Sequence, residues 1–421
     1  MSKAPSCRSC GAALTSEVID LGMSPLSNAL VEPSTHAADP LYPLRAYVCE
    51  TCWLVQVPAV ESRERIFGDY AYFSSYSDTW IAHARAYAAT VVERLGLGPQ
   101  SLVVELASND GYLLKEFQAR GVPVLGVEPA ANVARVAQAA GVPTVAEFFG
   151  VALARKLIED GRSADLIVAN NVLAHVPDVN DFVAGIASLL ARRGTATFEF
   201  PHLLRMLESG EFDTIYHEHF SYFSLRAAQR IFERHGLDVV DVDELPTHGG
   251  SLRLWVRHAQ ADPPKGESVE RVLTEEEDAH LERRDAYAAF QGAAVKAKDA
   301  LVTFLQEARR SGKGVAGYGA PAKATTLLNY CGIGPDLLAY TVDRSPHKQG
   351  RLIPGVRIPI EAPEKIFERR PDFVLVLPWN IKDEIFFQLE AIQGWGGQFV
   401  VPIPTLTLCR AEATGVRDER Q

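Results

Sequence analysis

Between residues 102 and 200 the chain alternates strand-like and helix-like segments, and this alternation limits its fold more than any other feature. The apolar runs LVVEL (102–106), VLGVE (124–128), PTVAEF (143–148), DLIVAN (165–170) and TATFEF (195–200) are separated by helices expected from Tyr112, Asn132 and Asp181. Such βα alternation predicts a doubly wound, mostly parallel sheet, α/β in class, with ligands beyond the carboxyl ends of its strands. A helix is expected over 80–95. Further along, 269–310 has few breakers and reads as one or two amphipathic helices. A second, smaller α/β unit follows, from GVAGYGAPAKATTLLNY (314–330) through LLAYTVD (337–343) and FVLVLPWN (373–380) to QFVVPIP (398–404).

The first 58 residues look different. Short strand-like pieces (16–21, 44–48, 54–57) lie between Pro-rich loops, too small a segment for a core of its own. Cys7, Cys10, Cys49 and Cys52 form two CxxC pairs that could hold Zn²⁺ through four thiolates. Redox thiols or unliganded core cysteines are the alternatives. Four Cys ligands leave no open position, so zinc here would be structural. The expected organisation is a zinc-binding module (1–58), a central domain (59–261), a C-terminal α/β domain (262–410) and a frayed tail (411–421).

Charge narrows the function classes. The chain has 42 Lys+Arg against 53 Asp+Glu, hence 42 − 53 = −11, which argues against a general nucleic-acid binder. No apolar run is long enough to span a bilayer, and the start MSKAPSCRSCG lacks the apolar stretch of a signal peptide. A cytoplasmic chain with no membrane partner is expected, and a monomer is favoured.

The most informative segment is VVELASNDGYLL (103–114). A strand ends at Glu105, a small-residue turn carries Ala107, Asn109 and Asp110, and a helix starts after Gly111. Glu128 ends the next strand, where a carboxylate suits two vicinal ribose hydroxyls. A dinucleotide fold would read GxGxxG at the first turn, to receive a pyrophosphate. Acids stand there instead, which favours a cationic, phosphate-free ligand: S-adenosylmethionine. Acids merely exposed to water at strand ends are the bland alternative. ADLIVANNVLAHVPD (164–178) adds Asn170 and Asn171 at a strand tip, with His175 in the following loop as a pocket or a solvent-facing residue. Phe148 and Phe149 would flank adenine or pack in the core.

Tyr216-His217-Glu218-His219-Phe220 is the densest titratable group. A histidine suits proton transfer near neutral pH, Glu218 could fix its tautomer, and Tyr216 offers a phenol to an oxyanion. HEH is not HExxH, so a metal here fits poorly; a surface loop is the plain alternative. His248-Gly249-Gly250-Ser251 with Arg253 forms a second polar turn. DYAYFSSYS (69–77) sets Tyr70, Tyr72 and Tyr76 close together, either over a pocket or in packing. In GYGAPAK (317–323), Gly319 and Lys323 have the layout of a phosphate cradle. Asp343 and Trp379-Asn380 end later strands, where ribose and base contacts would fall.

The ordered set CxxC…CxxC, ELASNDG, GVEP, NNVLAHVPD, YHEHFSYFS, THGGSLR, GYGAPAK and PWN resembles the deoxysugar C-3-methyltransferase family over nearly the whole chain. The resemblance implies a zinc-binding domain, a class I methyltransferase domain and a C-terminal α/β domain. It implies S-adenosylmethionine as cofactor, structural Zn²⁺, and a thymidine-diphosphate 4-keto-deoxyhexose as substrate. It places the base that removes the C3 proton at His219, with Glu218 beside it. Tyr216 and Tyr70 would contact the sugar, and His175 would support the enolate or the substrate hydroxyls. Tyr72 and His248 join the substrate contacts; Gly319, Lys323, Asp343 and Asn380 serve its nucleotide half. Rival classes are a nicotinamide-dependent sugar-nucleotide reductase or epimerase, a C-methyltransferase on a non-sugar carbonyl compound, and a non-catalytic scaffold.

Overall fold

Runs of apolar residues that bury both sheet faces dictate the central architecture. The computed structural model describes residues 5–68, 74–76, 78–261 and 264–409. Its central sheet has seven strands: β1 (Val103–Leu106), β2 (Val124–Val127), β3 (Thr144–Val145), β4 (Ala164–Asn170), β5 (Leu190–Pro201), β6 (Leu237–Leu245) and β7 (Ser251–His258). Their spatial order is β3-β2-β1-β4-β5-β7-β6. The first five run parallel; β7 lies antiparallel between β5 and β6. Alternate side chains serve opposite cores. Val104, Leu106, Ile167 and Phe198 pack on one face, and Val103, Leu166, Val168 and Trp255 on the other. Each such fully buried side chain contributes about 1.5–3 kcal/mol of transfer free energy.

The strand order reverses between β1 and β4, so a crevice is expected beyond their carboxyl ends. Local boundaries differ from the sequence reading for identifiable reasons. The helix expected from Asp181 begins at Val179, because the Asp178 side chain caps it by accepting from the Asp181 N–H at 3.0 Å. PTVAEF shrinks to the two half-buried residues of β3, an edge strand. The run 269–310 separates into helices Glu267–Asp278 and Phe290–Arg310.

The chain divides into two compact units. The first comprises Met1–Asp20, Leu44–Glu208 and His217–Phe290, and the second Leu21–Pro43, Ser209–Tyr216 and Gln291–Gln421. In the first, strand Val55–Gln56 pairs antiparallel with Ser221–Tyr222, immediately after the HEH segment. Glu276 also belongs there: it accepts from the Leu225 and Arg226 N–H groups at the start of helix Leu225–Arg234 and from His202 Nε2 at 2.8 Å.

The second unit has its own sheet: β8 (Val315–Tyr318), β9 (Thr341–Val342), β10 (Ile360–Glu361), β11 (Phe373–Val376), β12 (Gln398–Val401) and β13 (Thr407–Cys409). The order is β10-β9-β8-β11-β12-β13, parallel except for β13. Among the described residues, no helix is long and apolar enough to cross a membrane.

Candidate functional site

The four N-terminal cysteines sit on two turns built alike. In each, the carbonyl of the first cysteine accepts from an N–H four residues on: Gly11 to Cys7 at 2.9 Å, Trp53 to Cys49 at 2.7 Å. Both donors have positive φ, 79° at Gly11 and 61° at Trp53, so each turn curls its two thiols to one side. All four Sγ atoms lie within 4.8 Å of one another, with Cys7–Cys52 and Cys10–Cys49 at 3.5 Å. Tetrahedral Zn–S bonds of about 2.3 Å require S···S separations of roughly 3.8 Å. The set therefore fits a closed, structural zinc. Gln56 Nε2 donates to Cys7 Sγ at 3.2 Å, the outer contact that orients a ligand.

At the carboxyl edge of the central sheet, the turn after β1 is pinned by Glu128. Its Oε2 accepts from the Asn109 N–H at 3.0 Å and its Oε1 from the Ala130 N–H at 2.8 Å. Ala107, Asn109 and Gly111 all have positive φ, so the turn is tightly coiled. Two glycines make this possible. A Cβ at Gly126 would meet Ser108 Oγ at 2.4 Å, and one at Gly111 would meet Val142 Cγ2 at 2.8 Å. Gly126 is a residue whose role sequence reading missed; the signal was a glycine inside an otherwise β-branched and aliphatic strand.

Glu105, Asp110 and Glu128 are all buried and close enough to interact. Burial, with Asp110 and Glu128 adding to it, pushes the Glu105 carboxyl well above its usual range. Burial also raises Glu128. Glu105 Oε2 and Asp110 Oδ1 have no hydrogen-bond partner among the described residues. A cation beside these carboxyls would favour their ionised forms, so the set suits a cationic ligand better than a pyrophosphate. At the tip of β4, Asn170 Oδ1 and Asn171 Nδ2 also lack partners among the described residues.

Beside that tip lies a polar cluster in which sequence reading found Arg253 but missed Glu199, His83 and Thr247. Glu199, fully buried on β5, accepts from Arg253 Nη2 at 2.6 Å and contacts His83 Nε2 at 3.0 Å and Thr247 Oγ1 at 3.1 Å. Burial would raise its carboxyl, but His83 and Arg253 hold it below the usual range. The Asn171 N–H donates to the Glu199 carbonyl at 2.7 Å, tying the cluster to the β4 tip. His248 lies 5.5 Å from the Trp80 ring, which stacks on His83 at 5.0 Å.

The HEH segment meets the β4 loop in the same unit. The His175 ring contacts the His219 ring edge to face, at 4.6 Å between centroids. His175 Nδ1 lies 2.9 Å from the Glu218 carbonyl, so Nδ1 carries the hydrogen and Nε2 keeps its lone pair. Burial pushes the His175 imidazolium down to about 4, and the ring is neutral near pH 7. The Phe220 N–H donates to the Ala174 carbonyl at 2.7 Å, fixing the two loops together. Glu218 is buried, while His219 is part-exposed. Tyr216 falls in the second unit. Tyr70 and Tyr72 lie outside the described residues.

In the second unit, Asp343 at the end of β9 repeats the arrangement of Glu128. Its Oδ2 accepts from the Ala320 N–H at 2.8 Å and its Oδ1 from the Ser345 N–H at 2.9 Å. The turn Gly319-Ala320-Pro321 then leads into helix Ala322–Cys331. Gly319 has φ 89°, and a Cβ there would meet Pro378 Cδ at 2.5 Å. Lys323 Nζ donates to Asn380 Oδ1 at 3.0 Å and sits 4.1 Å from the centre of the Trp379 ring. Trp379 Nε1 donates in turn to Asp213 Oδ2 at 2.8 Å. Burial raises Asp213 to about 6 and Glu211 to about 8, each opposed by the Lys323 charge.

Comparison with known proteins covers nearly the whole chain. Residues 7–67 match a family model described as "Putative zinc binding domain", residues 80–242 one described as "Methyltransferase domain", and residues 246–404 one described as "C-methyltransferase C-terminal domain". The C-methyltransferase NovU of Streptomyces niveus is 37% identical over 409 residues, covering 97% of each chain. Among solved structures, magnesium protoporphyrin IX methyltransferase of Synechocystis PCC 6803, with bound SAM, is similar over 46% of this chain and 88% of its own, at 20% identity and a TM-score of 0.33. The 1,6-didemethyltoxoflavin-N1-methyltransferase of Burkholderia thailandensis is similar over 49% of this chain and 94% of its own, at 20% identity and a TM-score of 0.35.

Proposed function

The chain belongs to the C-methyltransferase family, and on that premise we propose that it deprotonates the carbon next to a ketone, C3 of a nucleotide-diphosphate 4-keto-deoxyhexose, and methylates the resulting enolate. S-adenosylmethionine is its cofactor and supplies an electrophilic methyl group. Glu105, Asp110 and Glu128, with Asn109 and the Asn170–Asn171 tip, would hold that cofactor.

The contact between His175 and His219 carries the reading. The C3 hydrogen is acidic because the adjacent carbonyl accepts the electron pair as an enolate. His219 takes that proton, with Glu218 at its side to favour the imidazolium. A neutral neighbour matters here: a charged His175 would oppose proton uptake by His219, and burial keeps it uncharged. His175 serves the enolate oxygen and Tyr70 the sugar, with Tyr72 and His248 as further contacts. General-base help of this kind is worth about 10²–10⁴ in rate.

The nucleotide half is assigned to the second unit. Its strand order, its Gly319 turn and Asp343 repeat the layout of the cofactor turn in the first. Lys323 and Asn380 would contact this half. The substrate assigned is a dTDP-linked sugar, and the setting is a monomer in the cytoplasm, where such sugars are made. Methyl transfer from labelled S-adenosylmethionine to a panel of 4-keto nucleotide sugars tests the assignment. Label should appear at C3 of at least one sugar nucleotide. Equal transfer to nucleotide-free carbonyl compounds would remove the sugar nucleotide from the reading.

A further inference from the structure

Arg8 lies between two cysteines of the zinc set, yet its side chain reaches the loops that carry both histidines. Its backbone is fixed first. The Arg8 N–H donates to Gln56 Oε1 at 2.9 Å, the same Gln56 that donates to Cys7 Sγ. Asn180 Nδ2 donates to the Arg8 and Ser9 carbonyls at 3.1 and 3.0 Å. From this anchored turn the guanidinium spreads its fork. Nη1 donates to the Pro177 carbonyl at 3.0 Å, two residues beyond His175. Nη2 donates to the Val57 carbonyl at 2.5 Å. The guanidinium carbon lies 5.1 Å from the centre of the Phe220 ring, next in sequence to His219.

The contacts close a ring. The Val57 N–H donates to the Phe220 carbonyl at 3.1 Å, and the Phe220 N–H donates to the Ala174 carbonyl. Arg8 therefore touches the segment after His175, the strand end that holds Phe220, and Phe220 itself. We infer that Arg8 is a positioning residue for methyl transfer: held by the zinc turn, it sets the register in which His175 meets His219. The cysteine turn then bears on catalysis without touching the substrate, because the turn that would be closed by bound zinc is the turn that aims Arg8. A lysine cannot replace it, since one ammonium does not span two carbonyls and a ring as a planar fork does.

The inference rests on the proposed role of His219, and the experiment separates the two. Arg8→Met, Arg8→Lys and His219→Asn are compared with the full-length wild type, each checked for one zinc per chain and for S-adenosylmethionine affinity. Three quantities are read: exchange of the substrate C3 hydrogen with solvent deuterium, kcat for methyl transfer, and amide exchange at Val57 and Phe220. Arg8→Met should lose at least tenfold in C3 exchange and kcat. Zinc content and cofactor affinity should hold, and the Val57 and Phe220 amides should lose protection. Arg8→Lys should fall between Arg8→Met and wild type, and added guanidinium ion should partly restore Arg8→Met. Wild-type C3 exchange in a folded, zinc-loaded Arg8→Met protein, with His219→Asn inactive, overturns the inference alone. Should Arg8→Met not fold, wild-type exchange in Arg8→Lys overturns it equally. Wild-type exchange in His219→Asn removes the reading beneath it.

Discussion

Substituting alanine at Gly126 probes how the cofactor turn is built. The added Cβ would stand 2.4 Å from Ser108 Oγ, 3.1 Å from Ser108 Cβ and 3.0 Å from Thr144 Oγ1. The first overlap is too deep to absorb without moving the turn, because Ser108 is wholly buried. Overpacking of this size costs about 1–3 kcal/mol. The strain is relieved if the turn lifts away from β2, but that stretches the Asn109 N–H to Glu128 bond, now 3.0 Å. A bound cofactor requires the turn to return, so much of the cost falls on affinity. About 2 kcal/mol corresponds to roughly a 30-fold weaker Kd for S-adenosylmethionine. Ser108 Oγ has no hydrogen-bond partner among the described residues, so Ser108→Ala alone should change little. In the double variant Gly126→Ala/Ser108→Ala the deepest overlap is gone, and most of the affinity should return. Titration calorimetry on the four proteins reads the cycle. Wild-type affinity in Gly126→Ala, or a double variant no better than the single, refutes this account of the turn.

Other consequences follow from the same geometry. Cys52→Ser should release the ion, measured as metal content per chain, and should unfold the N-terminal turns, because apparent zinc-binding energies of about 10–16 kcal/mol are folding energy in such sites. His175 is about 4 in the folded chain against about 6.5 unfolded, so between those values the folded state binds fewer protons. Its contribution is complete above pH 6.5 and is lost as pH falls toward 4, by at most about 3 kcal/mol. A His175→Asn variant should show a flatter fall of Tm over that window, and an unchanged slope would contradict the assignment. Lys323→Ala should weaken binding of the nucleotide sugar several-fold while leaving S-adenosylmethionine untouched; equal effects on both ligands would reject the second-unit site.

How much of this could be read from sequence depended on how local the cause was. Strands β1, β2 and β4 were legible because each is a short, mostly apolar run, and burial on both faces requires that pattern. The cysteine turns were legible because the spacing of ligands on one turn is fixed by the ion. β3 was overextended because an edge strand of two half-buried residues leaves little apolar signature. That Arg253 serves Glu199 was invisible for a different reason. The Glu199 partners His83 and Arg253 lie 116 and 54 residues away, and only the antiparallel insertion of β7 beside β5 brings Arg253 to Glu199. Arg8 was hidden in the same way, since Pro177 is 169 residues from it. A motif reading finds residues adjacent in sequence that share a task. It misses those that the sheet order brings together.

The most direct test of the central claim is the rate at which the C3 hydrogen of a 4-keto sugar nucleotide exchanges with deuterium oxide, read by mass spectrometry on wild type and His219→Asn. The account predicts ready exchange by the wild type and a loss of about 10²–10⁴ in the variant, with S-adenosylmethionine still bound at wild-type affinity. Undiminished exchange in His219→Asn would mean that another group removes the proton.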